Sequence, residues 1–554
     1  MLNEYIFYMK GRTCWLVFAC LLMAVLTLSC KKEPAGPTDQ EQTKPVIKDP
    51  KKRMAYNLGE YLAGEYASSV DKVVVSETKV TIEGKCGGDG KYLLAEITPW
   101  QDVTEMESFP YTDQLSGRNF SLTLDRSVKG REGIDYDRVF SKWAVIKVDG
   151  EKPSLDSHAR YADEVAPKRS PSLLRLRSQK GLAAGGGNIY FSDCDEMKVS
   201  TITMNVLING FIDQAGSDFT YGGIGYSIGA EWRKTIDEIT SDAAQRNLVV
   251  CAILLAPTSS SYRDPENTGG NYTMPNITTA KAFNKYAAVL EYLAERYTHE
   301  GGKRIHHWIM HNEVDMSKEW TNMGDQPVLR YLDRYLKSMR ICYNIVRQYD
   351  QNASVLASYT HSWRASDGGY SPWDMLTKTV SYSNAEGDFR WGVAYHPYAQ
   401  DITKPEFWKN DTKATGLQTT SYVTFKNLEV IDAWIKQKEN LYQGKTKRML
   451  FLSEQGTNSP SFSDDDLAKQ AAGACWAWKK VKKLDGIDAI QWHNWMDNAA
   501  EYGLHLGLRK ADFQPKPVWG VWKAAGTDKE DEVFDPYLKV IGISSWDEIY
   551  LDVK

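Results

Sequence analysis

Short apolar runs alternate with helical periodicity along the chain after about residue 178. Between the runs, apolar residues recur at intervals of three and four, which is the spacing of an amphipathic helix. Trp232, Ile236, Ile239 and Ala243 follow this spacing, and Ser463 precedes another such segment as a helix cap. The runs that we predict as strands cover residues 201–208, 248–256, 305–310, 354–359, 391–395, 449–452 and 487–492.

These strand–helix units predict an α/β fold. Residues 180–182 supply a plausible first strand, which brings the number of units to eight. Eight units predict a (β/α)8 TIM barrel over residues 171–554. A doubly wound open sheet is the alternative, but that fold usually carries a Gly-rich first loop, and no GxGxxG follows any predicted strand.

Residues 55–170 show a different pattern, in which short β-type runs are divided by turn residues. This pattern predicts an N-terminal β-sandwich domain. Such a domain can be a carbohydrate-binding module or a packing domain, and we favour the packing role. The predicted strands include residues 73–75, 80–82, 92–97, 120–124 and 143–148.

The N-terminus has the features of a targeting signal. Lys10 and Arg12 precede an apolar run at 14–28, which is short for a membrane span, and Leu-x-x-Ser-Cys ends at Cys30. Because this ending closely resembles a bacterial lipobox, we predict a lipoprotein signal peptide over 1–29 and lipidation of Cys30. An ordinary signal peptide with a chance Cys is the alternative.

A Pro-rich, charged segment follows Cys30, and we predict a disordered tether over 30–54. The protein is therefore expected to be a cell-envelope lipoprotein that contacts a membrane through its lipid anchor only. Lys31 stands where Asp is associated with inner-membrane retention in some bacteria, so we favour the outer membrane, on its surface or periplasmic face.

Composition narrows the classes of function. Lys and Arg total 67 and Asp and Glu total 72, so the net charge of −5 does not favour a nucleic-acid binder. Beyond the three N-terminal cysteines, five remain without a CxxC, so neither a zinc site nor a disulfide scaffold is indicated, although a Cys86–Cys194 bridge is possible. We expect a monomer that needs no cofactor.

Two carboxylates fall at predicted strand ends, which is where a barrel places its active site. Glu313 follows the fourth strand and Glu454 ends the seventh. A general acid paired with an ionised carboxylate is what glycoside hydrolysis requires. Other strand-end residues are candidates for substrate contacts: Asn205, His361, Trp363, His396, Trp492 and His493. For Trp363 and Trp492 a core position is equally open.

The strand-end motifs resemble those of the clan A glycoside hydrolases, the 4/7 barrel superfamily. Asn312 and Glu313 match its strand-four Asn-Glu, and Glu454 matches its strand-seven Glu. The resemblance implies that Glu313 is the acid/base, Glu454 the nucleophile and Asn312 a ligand of the sugar 2-hydroxyl, with net retention. It also implies that Tyr398 contacts the nucleophile and that Trp495 forms the floor of the sugar subsite.

One position departs from that pattern. Many members of the clan carry an Arg on strand two, where this chain has Asn205 or Asn209. The whole chain also resembles bacterial lipoproteins with a domain of unknown function numbered 5722, and this likeness implies no substrate.

Other polar residues near strand ends have simpler interpretations. His307 and His311 have a spacing that would share one face of a helix, but the segment is predicted as a strand and HExxH is absent, so we predict no metal. Asp315 and Asp497 are expected to be solvated loop residues.

These observations lead to one functional hypothesis. We expect a retaining glycoside hydrolase that acts on a poly- or oligosaccharide outside the cytoplasm. A non-catalytic glycan-binding surface lipoprotein and a transglycosylase are the alternatives.

Overall fold

Eight parallel strands close into a barrel in the C-terminal part of the chain. The first strand pairs with both the second and the eighth, which closes the sheet and confirms the strand predicted at 180–182. The open-sheet alternative is therefore wrong. The strands are β11 (Lys180–Ala184), β12 (Thr201–Leu207), β15 (Val249–Leu255), β16 (His307–Met310), β17 (Ser354–Tyr359), β18 (Trp391–Tyr395), β19 (Leu450–Gln455) and β20 (Ala489–Trp492), with a hairpin of β13 (Ala215–Tyr221) and β14 (Ile224–Tyr226) inserted after β12.

Side chains fill the inside of the barrel in layers. Apolar residues of alternate positions pack there, including Cys251, Ile253 and Phe451. Thr201 accepts a hydrogen bond of 2.8 Å from Gln491, which places this face of β12 inside the barrel. Because successive side chains alternate between the faces of a strand, Asn205 points to the same interior, closer to the carboxyl end.

Helices surround the barrel as the periodicity predicts. Ser463 caps α9 by accepting a hydrogen bond from the amide of Asp466, as expected, with acidic residues in the first turn and lysines in the last. The helices of this part are α2 (Phe191–Met197), α3 (Ala230–Gln245), α4 (Ala280–Arg296), α5 (Val328–Tyr349), α6 (Pro372–Glu386), α7 (Phe407–Asn410), α8 (Glu429–Lys436), α9 (Asp464–Lys483), α10 (Pro517–Ala524), α11 (Glu530–Phe534) and α12 (Leu538–Ile541).

Two four-stranded sheets precede the barrel, and each predicted strand of this region is present. The strands are β1 (Ser69–Val75), β2 (Lys79–Lys85), β3 (Lys91–Ile97), β4 (Thr112–Gln114), β5 (Asn119–Asp125), β6 (Ser127–Arg131), β7 (Ile134–Asp137), β8 (Lys142–Asp149), β9 (Lys152–Leu155) and β10 (Glu164–Val165). One sheet has the order β10-β1-β2-β5 and the other β4-β3-β8-β9, while β6 and β7 form a hairpin. Their arrangement as a β-sandwich stays a prediction.

Buried polar groups join these sheets to the barrel. Lys142 of β8 donates to Glu386 of α6 at 2.7 Å, and the Tyr61 hydroxyl donates to the same carboxylate oxygen at 3.0 Å. All three side chains are buried. Such a cluster fixes the relative orientation of the two parts, because each group would be costly to bury alone.

The computed structural model describes residues 45–150, 152–184 and 190–554. The predicted signal peptide, Cys30 and most of the predicted tether lie outside these residues. Helix α1 (Pro50–Ala63) includes the last five residues assigned to the tether, because Asp49 caps it and Pro50 occupies its first turn. No helix among the described residues is long and apolar enough to cross a membrane.

Candidate active site

Glu313 lies just beyond β16 in an unusual backbone conformation. Its φ of 38° is in the left-handed region, which residues other than Gly seldom occupy. The neighbouring strand β17 holds this turn, since Ser358 accepts from the Glu313 amide at 3.1 Å and its carbonyl accepts from the Val314 amide at 3.0 Å. The carboxylate is thereby directed into the mouth of the barrel.

Glu454 belongs to β19 and faces Glu313 across that mouth. One oxygen of each carboxylate and a ring nitrogen of His396 all lie within 4.8 Å of one another. The Tyr398 hydroxyl donates to Glu454 at 3.3 Å. Burial and the charge of Glu454 raise the pKa of Tyr398, so its hydroxyl stays a proton donor at neutral pH. The structure thus brings Glu313, Glu454, His396 and Tyr398 together.

His396 links Glu313 to β19. Its Nδ1 lies 2.9 Å from Glu313 and its Nε2 lies 3.1 Å from the Ser453 hydroxyl. Burial lowers the pKa of His396 to about 4, so the imidazole is neutral at pH 7 and the contact with Glu313 is a hydrogen bond rather than an ion pair. Since both ring nitrogens are engaged, we assign no metal to this cluster.

Burial also sets the protonation of Glu313. It raises the pKa of this carboxyl to about 7, against a smaller lowering effect of His493. Near neutral pH a large fraction of Glu313 therefore carries a proton. A neutral carboxylic acid beside a second carboxylate is the arrangement expected of a general acid with its partner.

A third carboxylate reaches the site from the loop after β20. Glu501 Oε1 lies 3.4 Å from His493 Nε2. The His493 amide donates to the Gln455 carbonyl at 2.7 Å, so this imidazole lies beside the end of the strand that carries Glu454. Glu454, Glu501 and Glu313 together raise the pKa of His493, although burial alone would lower it most strongly.

The remaining polar candidates lie around this centre. The Asn312 side chain is buried, and its oxygen has no hydrogen-bond partner among the described residues. Asn205 is directed to the barrel interior below. His361 is half-buried and stacks on Tyr422, with 5.6 Å between ring centroids and 22° between the planes. Burial, as the largest cause, lowers the pKa of His361 to about 4.

Three tryptophans that were candidates for substrate contacts are buried. Trp363, Trp492 and Trp495 are 1%, 0% and 2% exposed, so they offer no face to a sugar. Their indole N–H groups donate within the protein, to Gln418, Leu506 and Asp193 respectively. The subsite floor that the resemblance implied for Trp495 is therefore wrong. For Trp363 and Trp492 the core alternative holds and the substrate platform is wrong, because the strand ends that carry them turn the rings into the packing around the barrel.

Two aspartates are also buried rather than solvated. Asp315 accepts hydrogen bonds from the amide and hydroxyl of Thr360, and burial raises its pKa to about 7. Asp497 pairs with buried Lys516 at 2.9 Å. Both carboxylates therefore hold strand-end loops in place, and their prediction as solvated loop residues is wrong.

The histidines next to the fourth strand have structural partners. His306 Nδ1 accepts from the Val250 amide at 3.0 Å. His311 contacts the Leu254 carbonyl at 2.9 Å and the Ser338 hydroxyl at 3.3 Å. Burial lowers the pKa of His311 to about 4. These contacts fix the base of the turn that carries Glu313.

A family model matches the barrel and everything that builds this site. The family of unknown function DUF5722 matches residues 173–549, which is more than half of the chain. The chain belongs to DUF5722. The match includes all eight barrel strands, Glu313, Glu454 and Glu501, but not the two N-terminal sheets. No curated protein matches the chain.

Solved structures resemble this DUF5722 protein only distantly. A family 39 glycoside hydrolase from Bacteroides cellulosilyticus WH2 is 16% identical with a TM-score of 0.42, over 84% of this chain and 83% of that one. ZgEngAGH5_4 is 14% identical with a TM-score of 0.44, over 64% and 99%. A hyperthermophilic β-glucosidase from Pyrococcus furiosus is 13% identical with a TM-score of 0.38, over 63% and 86%. Likenesses this weak carry no argument about function.

Sequence reasoning missed several groups that shape the DUF5722 site. Tyr272 packs against the apolar interior at the barrel mouth and stacks on Trp320, with 6.0 Å between centroids. Burial and then the charge of Glu454 raise the pKa of Tyr272, which places this ring near Glu454. Ser358, Ser453 and Glu501 were also missed, since a lone Ser or Glu in a strand or loop has no distinguishing pattern.

Proposed function

We propose that this DUF5722 protein is a retaining glycoside hydrolase that acts on a poly- or oligosaccharide outside the cytoplasm. The observation that carries the proposal is the close approach of Glu313 and Glu454 at the barrel mouth, with oxygens within 4.8 Å. Retaining enzymes hold their carboxyl groups about 5–5.5 Å apart, whereas inverting enzymes need about 6.5–9.5 Å for a water. The spacing supports direct attack on the sugar.

The residues divide the reaction between them. Glu454 attacks the anomeric carbon while the glycosidic bond breaks, and Glu313 gives its proton to the leaving oxygen. In the second step ionised Glu313 takes a proton from water, and that water attacks the anomeric carbon and releases Glu454. The raised pKa of Glu313 suits both roles, because the group must lose and regain a proton near neutral pH.

Neighbouring groups support the pair. Tyr398 donates to Glu454 and favours its ionised form. His396 can accept from protonated Glu313 in one tautomer and donate to ionised Glu313 in the other, with Ser453 completing either arrangement. The unpartnered Asn312 oxygen suits a sugar hydroxyl, in the role that the clan A resemblance implies.

The central experiment replaces the nucleophile. Glu454→Gln keeps the shape of the side chain but cannot form the glycosyl ester, so it should abolish turnover and leave glycan binding largely intact. Activity is screened on a panel of polysaccharides and aryl glycosides. A matched fluorosugar should label a peptide containing Glu454, and NMR should show the first product with the anomeric configuration of the substrate. Inverted product or a label elsewhere would contradict the proposal.

The two alternatives give different outcomes in the same screen. A glycan-binding lipoprotein would bind a polysaccharide without hydrolysing any activated glycoside. A transglycosylase would form longer products when a sugar acceptor is added in excess. The pKa of Glu313, raised to about 7, favours a catalytic protein over a binding protein, because this carboxyl can give and take a proton near neutral pH.

The N-terminal part of the chain bears on where the protein is located and on how the barrel is supported. We infer a signal peptide, lipidation at Cys30 and attachment to the outer membrane, supported by the lipobox-like sequence. We also infer that the two N-terminal sheets form a β-sandwich that braces the barrel. Its support is the contact between β1 and β8, one strand from each sheet, and the buried contacts with α6.

A further inference from the structure

The loop at 497–503 brings a charged group to the catalytic residues from outside the barrel. Glu501 on this loop contacts His493 at 3.4 Å. The His493 side chain is 6% exposed and that of Glu501 29%, so the pair is shielded from bulk water on the His493 side. Ion pairs shielded in this way are stronger than pairs on an open surface.

Titratable groups from four elements lie within electrostatic range of His493, and Glu501 contacts its ring. The end of β16 contributes Glu313, the end of β18 contributes His396, β19 contributes Glu454 and the 497–503 loop contributes Glu501. Glu454 and Glu501 favour the imidazolium, and so does Glu313 when it is ionised, while neutral His396 does not compete for the proton. His361 and His396 each have one nearby carboxylate, but burial outweighs it and lowers the pKa of both, whereas the pKa of His493 is raised.

The connection between β19 and β20 keeps His493 in this position. The His493 amide donates to the Gln455 carbonyl at 2.7 Å. The His493 carbonyl lies so close to Gly456 that a Cβ there would approach it to 1.9 Å. The backbone thus places His493, and Glu501 contacts the outer nitrogen of its ring.

We propose that Glu501 is a positioning residue that holds His493 in its protonated form beside Glu313 and Glu454, so that one imidazolium serves both catalytic carboxylates. This inference rests on the proposed glycosidase function for its kinetic consequences, but the ion pair itself does not. Glu501 does not touch the substrate in this scheme and acts only through His493.

The direction in which the pKa of Glu313 changes when Glu501 is removed distinguishes an effect through His493 from a direct effect of the Glu501 charge. Activity should fall as pH rises through the pKa of Glu313, about 7, because the general acid is then lost. Without Glu501, His493 would lose its proton more readily, and the pKa of Glu313 would rise because a neighbouring cation is gone. Simple removal of a negative charge near Glu313 would instead lower its pKa.

The first experiment measures His493 directly and needs no substrate. The imidazoles of the protein labelled with ¹⁵N-histidine are titrated by NMR, and H493Q identifies the resonance. In E501Q the His493 pKa should fall by about one unit or more, since a partner charge within a few Å is lost. An unchanged titration would overturn the proposal. E501D keeps the charge and should retain a pKa between the two.

The second experiment measures kcat/KM against pH with an activated aryl glycoside as substrate and follows the alkaline limb of that profile. The limb should move to higher pH in E501Q and in H493Q, and the double variant should match H493Q because Glu501 acts through His493. D512N removes an exposed charge from the same strand-eight connection and should leave the limb unchanged.

A limb that moves to lower pH in E501Q, or fully additive effects in the double variant, would show direct action and overturn the proposal. Wild-type protein that hydrolyses no glycoside would defeat the proposed function instead. The NMR titration would then still support or overturn the ion pair.

Discussion

Glu313 has a raised pKa, and its backbone conformation fixes the direction in which its carboxylate points. Neighbouring residues must stabilise both features. Its left-handed backbone costs about 1–3 kcal/mol for a residue other than Gly, which the surrounding hydrogen bonds must offset. Ser358 supplies one of these through the Glu313 amide. Strain held at a group with a pKa near 7 is typical of an active site rather than of a structural carboxylate.

The role of Glu313 predicts how its loss depends on the leaving group. Glu313→Ala should slow natural glycans by about 100-fold or more, since they need proton donation to leave. Aryl glycosides with good leaving groups should lose far less in the first step. Added azide should restore turnover and yield a glycosyl azide, because the vacated space admits a small nucleophile. Equal losses on both substrate types without azide rescue would indicate a structural role.

At the residue scale the sequence predicts the two carboxylates of the site but not the residues that hold them in position. Glu313, Glu454 and Tyr398 follow from strand ends and a family resemblance, and the structure places them in contact range. The direction of Trp492 could not be predicted from the apolar run alone, because alternation along the strand directs Trp492 outward only once its neighbour Gln491 is known to point into the barrel. Ser358 and Ser453 act through packing across neighbouring strands, and sequence patterns do not record such pairings.

Gly456 shows how two strands depend on one small residue. It follows β19, and an added Cβ would meet the His493 carbonyl at 1.9 Å. Gly456→Ala should therefore separate the ends of β19 and β20 and displace Glu454 and His493, so kcat should fall by tenfold or more. Thermal unfolding should also occur at a lower temperature, because backbone atoms cannot move aside as a flexible side chain can.

Gly520 provides the matched control for that change. It lies in α10 with no atom within 4 Å of an added Cβ. Gly520→Ala should leave kcat unchanged and stabilise the protein by up to about 1 kcal/mol, through helix propensity. If both alanine variants behaved alike in kcat, the close approach at Gly456 would not matter for the site.

At the element scale, periodicity predicts the barrel strands closely and fails where the chain departs from repetition. Strands β17 and β18 match their predicted bounds, since buried parallel strands are continuous apolar runs. Helix α1 was missed because prolines suggested disorder, although Pro50 in a first turn favours a helix start. The hairpin of β13 and β14 was missed because its strands are half-exposed and irregularly paired.

At the scale of the whole molecule, a buried contact joins the N-terminal sheets to the barrel. Glu386 accepts from both Lys142 and Tyr61, so Glu386→Ala would leave a buried ammonium without a partner. We expect a loss of about 3–5 kcal/mol in the free energy of unfolding, measured from denaturant midpoints. Glu164→Ala removes an exposed pair with Lys72, which water and salt screen, and should change the free energy of unfolding far less. Equal losses would mean that the buried cluster does not hold the two parts together.

The proposed attachment to a membrane also concerns the whole chain. The sequence ending at Cys30 predicts that the thiol is lipidated, and the Pro-rich stretch after it would then let the barrel stand away from the bilayer. Cys30→Ser should release the protein into the soluble fraction with a mass lower by the lipid, while the barrel and its activity stay unchanged. One acyl chain anchors only marginally, so firm retention of the wild type requires more than one. A Cys30→Ser variant that stays in the membrane fraction with the wild-type mass would show that the anchor lies elsewhere.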